Sequence, residues 1–268
     1  MTVSVSEKRA AFHALHQSGC FTLPNPWDAG SAKYLQSMGF KALASTSAGL
    51  AWSIGKPDNQ VTRDEVLAHL KSLCEATDLP VNADFEGGFA DAPEGVAANV
   101  RLAAETGVAG LSIEDRTKGG LYEHALAVER IAAARAAIDA DGSRVLLVAR
   151  CEGALVGQDD LGFIIKRLVA FAEAGADCLY APGVGSAEAL TELIAAVAPR
   201  PVNVLLTTGG LTVGELAELG VRRVSVGGAL ARMAWSGFAR GARELSESGL
   251  ITPPADAVGG GALNTLFG

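Results

Sequence analysis

One short pattern recurs along the chain, and its clearest copy reads Glu105-Thr106-Gly107-Val108-Ala109-Gly110. A helical segment stops at a glycine, which can adopt the positive φ of a helix end, and an apolar strand begins within a few residues. The same pattern lies at residues 173–177 and 218–221. It predicts strands and helices that alternate around a parallel sheet.

Eight short apolar runs qualify as strands of that sheet. They are residues 21–23, 42–45, 80–84, 110–114, 145–150, 178–181, 202–205 and 223–226. Helical periodicity marks residues 29–38, 63–76, 94–106, 126–138, 159–174, 187–198 and 213–219. Eight units in one chain of 268 residues predict a (β/α)8 TIM barrel of the α/β class. An open doubly wound sheet is the alternative, but it normally carries a glycine-rich phosphate turn after its first strand, where this chain has Pro24-Asn25-Pro26.

The whole chain, residues 1–268, is expected to form a single barrel domain with two additions. Residues 1–20 contain an amphipathic leading helix, and residues 246–268 form a C-terminal arm for subunit packing. Within the arm, Pro253-Pro254 and Gly259-Gly260-Gly261 are expected to interrupt regular structure.

Composition excludes several classes of protein. A net charge of -8 argues against a nucleic-acid partner. The chain lacks an apolar run of about 18 residues and a charged-then-apolar start, so a cytoplasmic protein without a membrane partner is expected. Its 4 cysteines have no paired spacing, which disfavours disulfides and zinc sites.

Acidic residues follow two consecutive strands of the predicted barrel. Asp84 and Glu86 end the third strand, and Glu114 and Asp115 end the fourth. Side chains at i and i+2 of an extended segment point the same way, and the carboxyl ends of barrel strands share one face. Crowded carboxylates repel one another unless a cation compensates, so these acids predict a divalent-metal site. The alternative is that the acids cap helices or end strands in water.

Arg150, at the end of the fifth strand, completes this constellation. Arginine binds carboxylates or phosphonates in bidentate fashion and can stabilise charge on an enolate oxygen. The alternative for Arg150 is an ion pair with Glu114 or Glu152. Asn203 is a further candidate for a substrate contact, and its alternative role is hydrogen bonding to loop backbone.

In their order and spacing, several motifs resemble the isocitrate lyase/phosphoenolpyruvate mutase superfamily over residues 25–230. They are Pro26-Trp27-Asp28-Ala29, Thr46-Ser47-Ala48-Gly49-Leu50, Gly55-Lys56-Pro57-Asp58, residues 80–89, residues 110–115 and Val148-Ala149-Arg150. The resemblance implies a barrel whose last helix is exchanged with a neighbouring subunit, in a homo-oligomer that is a dimer or a homotetramer built from two dimers.

The resemblance also implies a Mg²⁺ cofactor, with Mn²⁺ as a substitute, and a small-molecule carboxylate or phosphonate as substrate. Asp84 would bind the metal, and Glu86, Glu114 and Asp58 would organise its waters. The candidate catalytic residues are Arg150, Asp58 and Thr46; the candidate substrate-binding residues are Ser47, Ala48, Gly49, Leu50, Arg150 and Asn203; the candidate metal residues are Asp84, Glu86 and Glu114.

The loop after Glu114 departs from the family pattern. Lyases of the superfamily carry a Lys-Lys-Cys-Gly-His-like motif there, whereas this loop is short, has no cysteine and offers Thr117 as the hydroxyl of its first half. Tyr122 and His124 are alternative proton donors, but packing and surface roles are more typical of such residues. We therefore expect a Mg²⁺-dependent carbon–carbon lyase or decarboxylase that acts on a small 2-oxo or 2-hydroxy acid through an enolpyruvate-type intermediate. The alternatives are a P–C bond mutase or hydrolase and a non-catalytic carboxylate-binding barrel.

Overall fold

The computed structural model describes residues 3–268. The strands are β1 (Phe21–Leu23), β2 (Leu43–Ala44), β3 (Val81–Asp84), β4 (Gly110–Glu114), β5 (Arg116–Thr117), β6 (Gly120–Leu121), β7 (Leu146–Arg150), β8 (Cys178–Tyr180), β9 (Val202–Leu205) and β10 (Arg223–Ser225). The α-helices are α1 (Val5–Leu15), α2 (Ala29–Ser37), α3 (Ser47–Ser53), α4 (Arg63–Ala76), α5 (Pro93–Glu105), α6 (His124–Asp141), α7 (Leu161–Glu173), α8 (Ala187–Val197), α9 (Val213–Glu218), α10 (Ala229–Ser248) and α11 (Gly260–Phe267).

Eight parallel strands form a nearly closed barrel in the order β1-β10-β9-β8-β7-β4-β3-β2. The two end strands meet where the Ala44 amide donates to the Pro24 carbonyl at 3.1 Å. Strands β5 and β6 form a separate antiparallel hairpin between β4 and α6. The (β/α)8 prediction is therefore confirmed, and every predicted strand overlaps an observed one.

Alternate residues of the strands face the inside of the barrel. Leu146 and Val148 of β7, and Cys178 and Tyr180 of β8, belong to one buried cluster, which Phe12 of α1 joins. Gly110 makes room for Phe12, because a Cβ at Gly110 would lie 2.6 Å from the Phe12 ring. The intervening strand residues pack outward against the helices.

Three features were not expected from the sequence. The residues after β2 form helix α3 rather than a turn, and the chain continues after β10 into the 20-residue helix α10. Near the C-terminus, Gly260 and Gly261 begin helix α11 rather than interrupting regular structure, and α11 packs against α2.

Helix α10 is exposed along almost its whole length. Only Ala231 of this helix is buried, while Met233, Trp235 and Phe238 are 70%, 46% and 66% exposed. Across residues 3–268, none of the helices has the length and hydropathy needed to cross a bilayer.

Candidate active site

In three strands, the last residue that faces the barrel interior is charged, and these residues lie at one mouth of the barrel. Asp84 ends β3, Glu114 ends β4 and Arg150 ends β7. The Nη1 atom of Arg150 lies 3.0 Å from Asp84 Oδ1 and 3.0 Å from Glu114 Oε1, and Nη2 lies 2.9 Å from Glu152 Oε1. One guanidinium thus joins three carboxylates, and both ion pairs considered for Arg150 from the sequence are present.

The site holds more negative charge than one arginine can compensate. Burial raises the pKa of Glu114 to about 8, an effect that Arg150 opposes and that Glu152, Asp84 and Glu86 reinforce. The pKa of Glu86 is raised to about 7, first by burial and then by the charges of Asp84 and Asp58. Near neutral pH, burial and mutual repulsion keep a large fraction of these carboxyls protonated, and a bound cation would favour their ionised forms.

The donor set fits a partly hydrated hard cation. Glu86 Oε1 is buried and has no hydrogen-bond partner within residues 3–268, so this oxygen could bind a cation. Among residues 3–268, no group of three or more His, Cys, Asp or Glu side chains is arranged so that all of them could hold one metal ion. Mg²⁺ typically takes one or two protein carboxylates and keeps several waters, so it would need only one or two of Asp84, Glu86 and Glu114 as direct ligands.

Helix α3 presents its first turn to Asp84. The Ser47 amide donates to Asp84 Oδ2 at 3.0 Å, and the Asp84 amide donates to Ser45 Oγ at 2.8 Å. These bonds orient the carboxylate of Asp84 from the β2 side. Thr46 caps the helix, because its hydroxyl oxygen accepts from the Gly49 amide at 3.3 Å.

This helix changes what the amides of residues 47–50 can do. The Gly49 amide is taken by Thr46 Oγ1, and the Leu50 amide donates to the Thr46 carbonyl at 3.0 Å. The expected substrate contacts of Gly49 and Leu50 are therefore not available in this geometry. The Ser47 amide is also engaged, because it donates to Asp84 Oδ2.

Asn203 is not brought to the mouth. It is 2% exposed, its Oδ1 accepts from Arg223 Nε at 2.8 Å, and its Nδ2 donates to Ser225 Oγ at 3.1 Å. The expected substrate contact of Asn203 is corrected accordingly: both ends of its amide are engaged inside the barrel. The physical reason is its pairing with Arg223 on β10, which a single strand's sequence does not reveal.

Asp115 and Cys151 face away from the barrel interior. Asp115 accepts from Arg167 Nε at 2.7 Å and from the Glu152 amide at 2.8 Å, so it ties β4 to α7 and to the segment after β7. Cys151 is fully buried, and burial raises the pKa of its thiol to about 12. Neither residue contacts the acid cluster from inside.

A cleft of about 910 Å³ opens beside Glu86 and Glu114. Asp58 reaches it from the loop after α3, where the carboxylate is exposed and accepts from the Asn59 amide at 2.9 Å. Arg116 and Lys118 of the β5–β6 hairpin also line the cleft. Neither cation is in an ion pair within residues 3–268. The cleft therefore combines the carboxylates of Glu86 and Glu114 with two positive charges that lie outside the ion pairs of the described residues.

Tyr122, also on the cleft, is held in place. Its hydroxyl donates to Asp91 Oδ1 at 2.5 Å, and the Arg130 guanidinium stacks 3.9 Å from its ring centroid. Burial and the bond to Asp91 raise the pKa of Tyr122 to about 12. Arg130 itself was missed by sequence reasoning. The available signal was a charged residue on the buried face of α6, which also carries Ala127 and Ile131.

A family model described as phosphoenolpyruvate phosphomutase matches residues 12–246. The chain belongs to the isocitrate lyase/PEP mutase superfamily. A crystal structure of a Burkholderia cenocepacia protein, assigned only broadly as a lyase/mutase, has 49% identity and a TM-score of 0.94; the match covers 98% of this chain and 96% of that one.

Two curated relatives extend the comparison within the superfamily. An uncharacterized protein of Mycobacterium tuberculosis is 36% identical over 220 residues, which cover 81% of each chain. Oxaloacetate decarboxylase of Rhodopseudomonas palustris is 30% identical over 235 residues, covering 82% of this chain and 77% of that enzyme. The family model's residues 12–246 include the barrel mouth described above.

Proposed function

We propose that this chain is a Mg²⁺-dependent carbon–carbon lyase or decarboxylase that acts on a small 2-oxo or 2-hydroxy acid. The observation that carries the proposal is the pair of Asp84 and Glu114 bound to Arg150, beside Glu86, whose buried Oε1 has no hydrogen-bond partner within residues 3–268. Such a cluster needs a cation to ionise fully. Mn²⁺ takes similar oxygen ligands and is expected to substitute.

When bound, Mg²⁺ supplies positive charge where negative charge develops on a substrate oxygen. The protein's part is orientation and charge. Asp84 is held by Ser47 and Arg150, so its carboxylate is preorganised to bind the cation. Arg150 lies between Asp84 and Glu114, from where its guanidinium can also donate to a substrate carboxylate or enolate oxygen.

The β5–β6 hairpin favours substrates with a second anionic group. Arg116 and Lys118 line the same cleft as Glu86 and Glu114. A 2-oxo dicarboxylate would place its oxo-acid end at the cation site and its distal carboxylate at these two side chains. Loss of that carboxylate as CO₂ leaves the bonding electron pair on the substrate as an enolate, and solvent can later supply the proton. This reaction does not require the cysteine that the hairpin lacks, and it agrees with the relative that decarboxylates oxaloacetate.

The exposed face of α10 supports a proposal about assembly. Met233, Trp235 and Phe238 have no covering surface in one chain, and large apolar patches usually mark an interface. We propose that α10 packs on a neighbouring subunit of a homodimer or a dimer of dimers. Light scattering should give an oligomer that Phe238→Glu dissociates; a monomeric wild-type protein would contradict the proposal.

The test of activity is pyruvate release from oxaloacetate, followed by a coupled lactate dehydrogenase assay. We expect Mg²⁺-dependent release that EDTA and Asp84→Asn abolish, and a higher KM in the double variant of Arg116→Ala and Lys118→Ala. Turnover of phosphonopyruvate alone would instead favour P–C chemistry. Oxalate binding without turnover of any 2-oxo or 2-hydroxy acid would favour a non-catalytic barrel.

A further inference from the structure

The loop that carries Glu86 has an unusual backbone. Three of its residues adopt left-handed conformations: Glu86 at φ 46°, Gly88 at φ 73° and Phe89 at φ 55°. For residues other than glycine this region is disfavoured and persists when the surroundings determine the conformation. Something outside the loop must therefore hold Glu86 in place.

Two buried side chains from neighbouring helices hold the loop. Arg130 of α6, 1% exposed, donates to the carbonyls of Gly87, Ala90 and Asp91, the last at 2.6 Å. Asn99 of α5, 5% exposed, donates through Nδ2 to the Gly88 carbonyl at 2.9 Å and to the Phe89 carbonyl at 3.3 Å. All five consecutive carbonyls from residue 87 to residue 91 are thus bound by Arg130 or Asn99.

The same arginine connects this loop to the hairpin side of the cleft. Its guanidinium stacks on Tyr122, which follows β6, and the Tyr122 hydroxyl binds the Asp91 carboxylate. On the barrel side, the Glu86 carbonyl accepts from the Glu114 amide at 2.9 Å. Glu86 is therefore fixed between the end of β4 and the Arg130 guanidinium.

We propose that Arg130, assisted by Asn99, is a positioning residue that holds Glu86 at the cation site by binding the carbonyls of its loop. The proposal rests on the Mg²⁺ site of the proposed function. It assigns Arg130 no contact with substrate or metal.

The sign of the effect separates positioning from simple electrostatics. Removing a positive charge near a cation site would strengthen Mg²⁺ binding if Arg130 acted through its charge. If Arg130 positions Glu86, its removal weakens Mg²⁺ binding, typically about tenfold or more for residues that orient metal ligands. Arg130→Lys keeps the positive charge but not the planar guanidinium that reaches three carbonyls, so it should also weaken Mg²⁺ binding.

Arg9 provides a matched control. It also donates to three backbone carbonyls, those of Ala104, Val108 and Ser143 at 2.7, 3.0 and 2.9 Å, but these lie before β4 and β7, at the opposite end of the barrel from Glu86. Arg9→Met should lower thermal stability much as Arg130→Met does. It should leave the Mg²⁺ affinity within about twofold of wild type, because no loop of the site is released.

The experiment compares wild type, Arg130→Met, Arg130→Lys, Asn99→Ala and Arg9→Met by Mg²⁺ calorimetry and by hydrogen exchange of the metal-free proteins. We expect weaker Mg²⁺ binding and faster exchange at residues 86–91 in the Arg130 and Asn99 variants alone. Unchanged or tighter Mg²⁺ binding in both Arg130 variants would overturn the proposal. Should Arg130→Met fail to fold, Arg130→Lys and Asn99→Ala decide the same question.

The two proposals fail in different ways. Wild-type protein that binds no Mg²⁺ would refute the metal site of the proposed function. Exchange at residues 86–91 that is the same in wild type and in Arg130→Lys would refute the role of Arg130 in holding the loop, whatever the metal does.

Discussion

Mg²⁺ binding should release protons, and its affinity should rise with pH. The metal-free pKa of Glu86 is about 7, and that of Glu114 is about 8, so both carboxyls carry protons at pH 6. A cation favours their ionised forms, and the protons must leave as it binds. For a single group with a pKa near 7, the linkage relation gives about tenfold tighter binding at pH 8 than at pH 6. Any contribution from Glu114 increases this factor.

Calorimetry in two buffers of different ionisation enthalpy measures both the Mg²⁺ affinity and the number of protons released. At pH 6.5, we expect about 0.8 proton released per Mg²⁺ from Glu86, and more if Glu114 takes part. Glu86→Gln, which cannot ionise, should bind more weakly and show a flatter dependence on pH. Equal affinity at pH 6 and pH 8 with no proton release would refute the reasoning, because it would mean that the acids at the barrel mouth are already ionised or lie away from the cation.

Three further predictions concern other residues. The folded-state pKa of His16 is lowered from 6.5 to about 3, first by burial and then by the charge of Arg223, so its contribution to stability is complete above pH 6.5 and lost as the pH falls. Urea unfolding should show the stability difference between wild type and His16→Asn shrinking by about 2 kcal/mol from pH 7.5 to pH 5; a constant difference would contradict the burial of a neutral imidazole. Gly49→Val should destabilise the protein by about 2 kcal/mol or more and lower Mg²⁺ affinity, since a Cβ there would lie 2.6 Å from Thr46 Cγ2, whereas Gly214→Ala, whose Cβ has room, should be tolerated in the same melting and binding assays. Arg150→Lys should lower kcat/KM for oxaloacetate by about 100-fold or more, since a lysine cannot reproduce the guanidinium's several contacts; wild-type kinetics would remove Arg150 from the reaction.

The barrel strands could be predicted because each one has a local sequence signal. Residues 110–114 and 202–205 are apolar runs that follow a helix end, and they were predicted with the bounds that the structure shows. Helix α10 could not be predicted in the same way. Its apolar side chains, such as Phe238, face no surface of their own chain, and Gly237 and Gly241 interrupt its helical propensity.

Part of the candidate site also followed from local rules. Strand order brings the side chains of Asp84, Glu114 and Arg150 together at the barrel mouth. Glu86 lies beyond the end of β3 in a left-handed conformation, so strand alternation alone does not place it. Asp84, Glu114 and Arg150 needed only the period of a strand and the knowledge that barrel strands end at one face.

The sequence by itself determined the alternating architecture and the acids at the strand ends, because hydrophobic periodicity and glycine helix stops act between neighbours in the chain. Tertiary structure alone decided which polar groups remain free for chemistry. The side chain of Asn203 is hydrogen-bonded to Arg223, and the Leu50 amide is hydrogen-bonded within helix α3. The carbonyls of the loop after Glu86 are bound by Arg130 and Asn99. These bonds join residues far apart in sequence or depend on a helix cap, so only the folded chain shows which donors and acceptors meet.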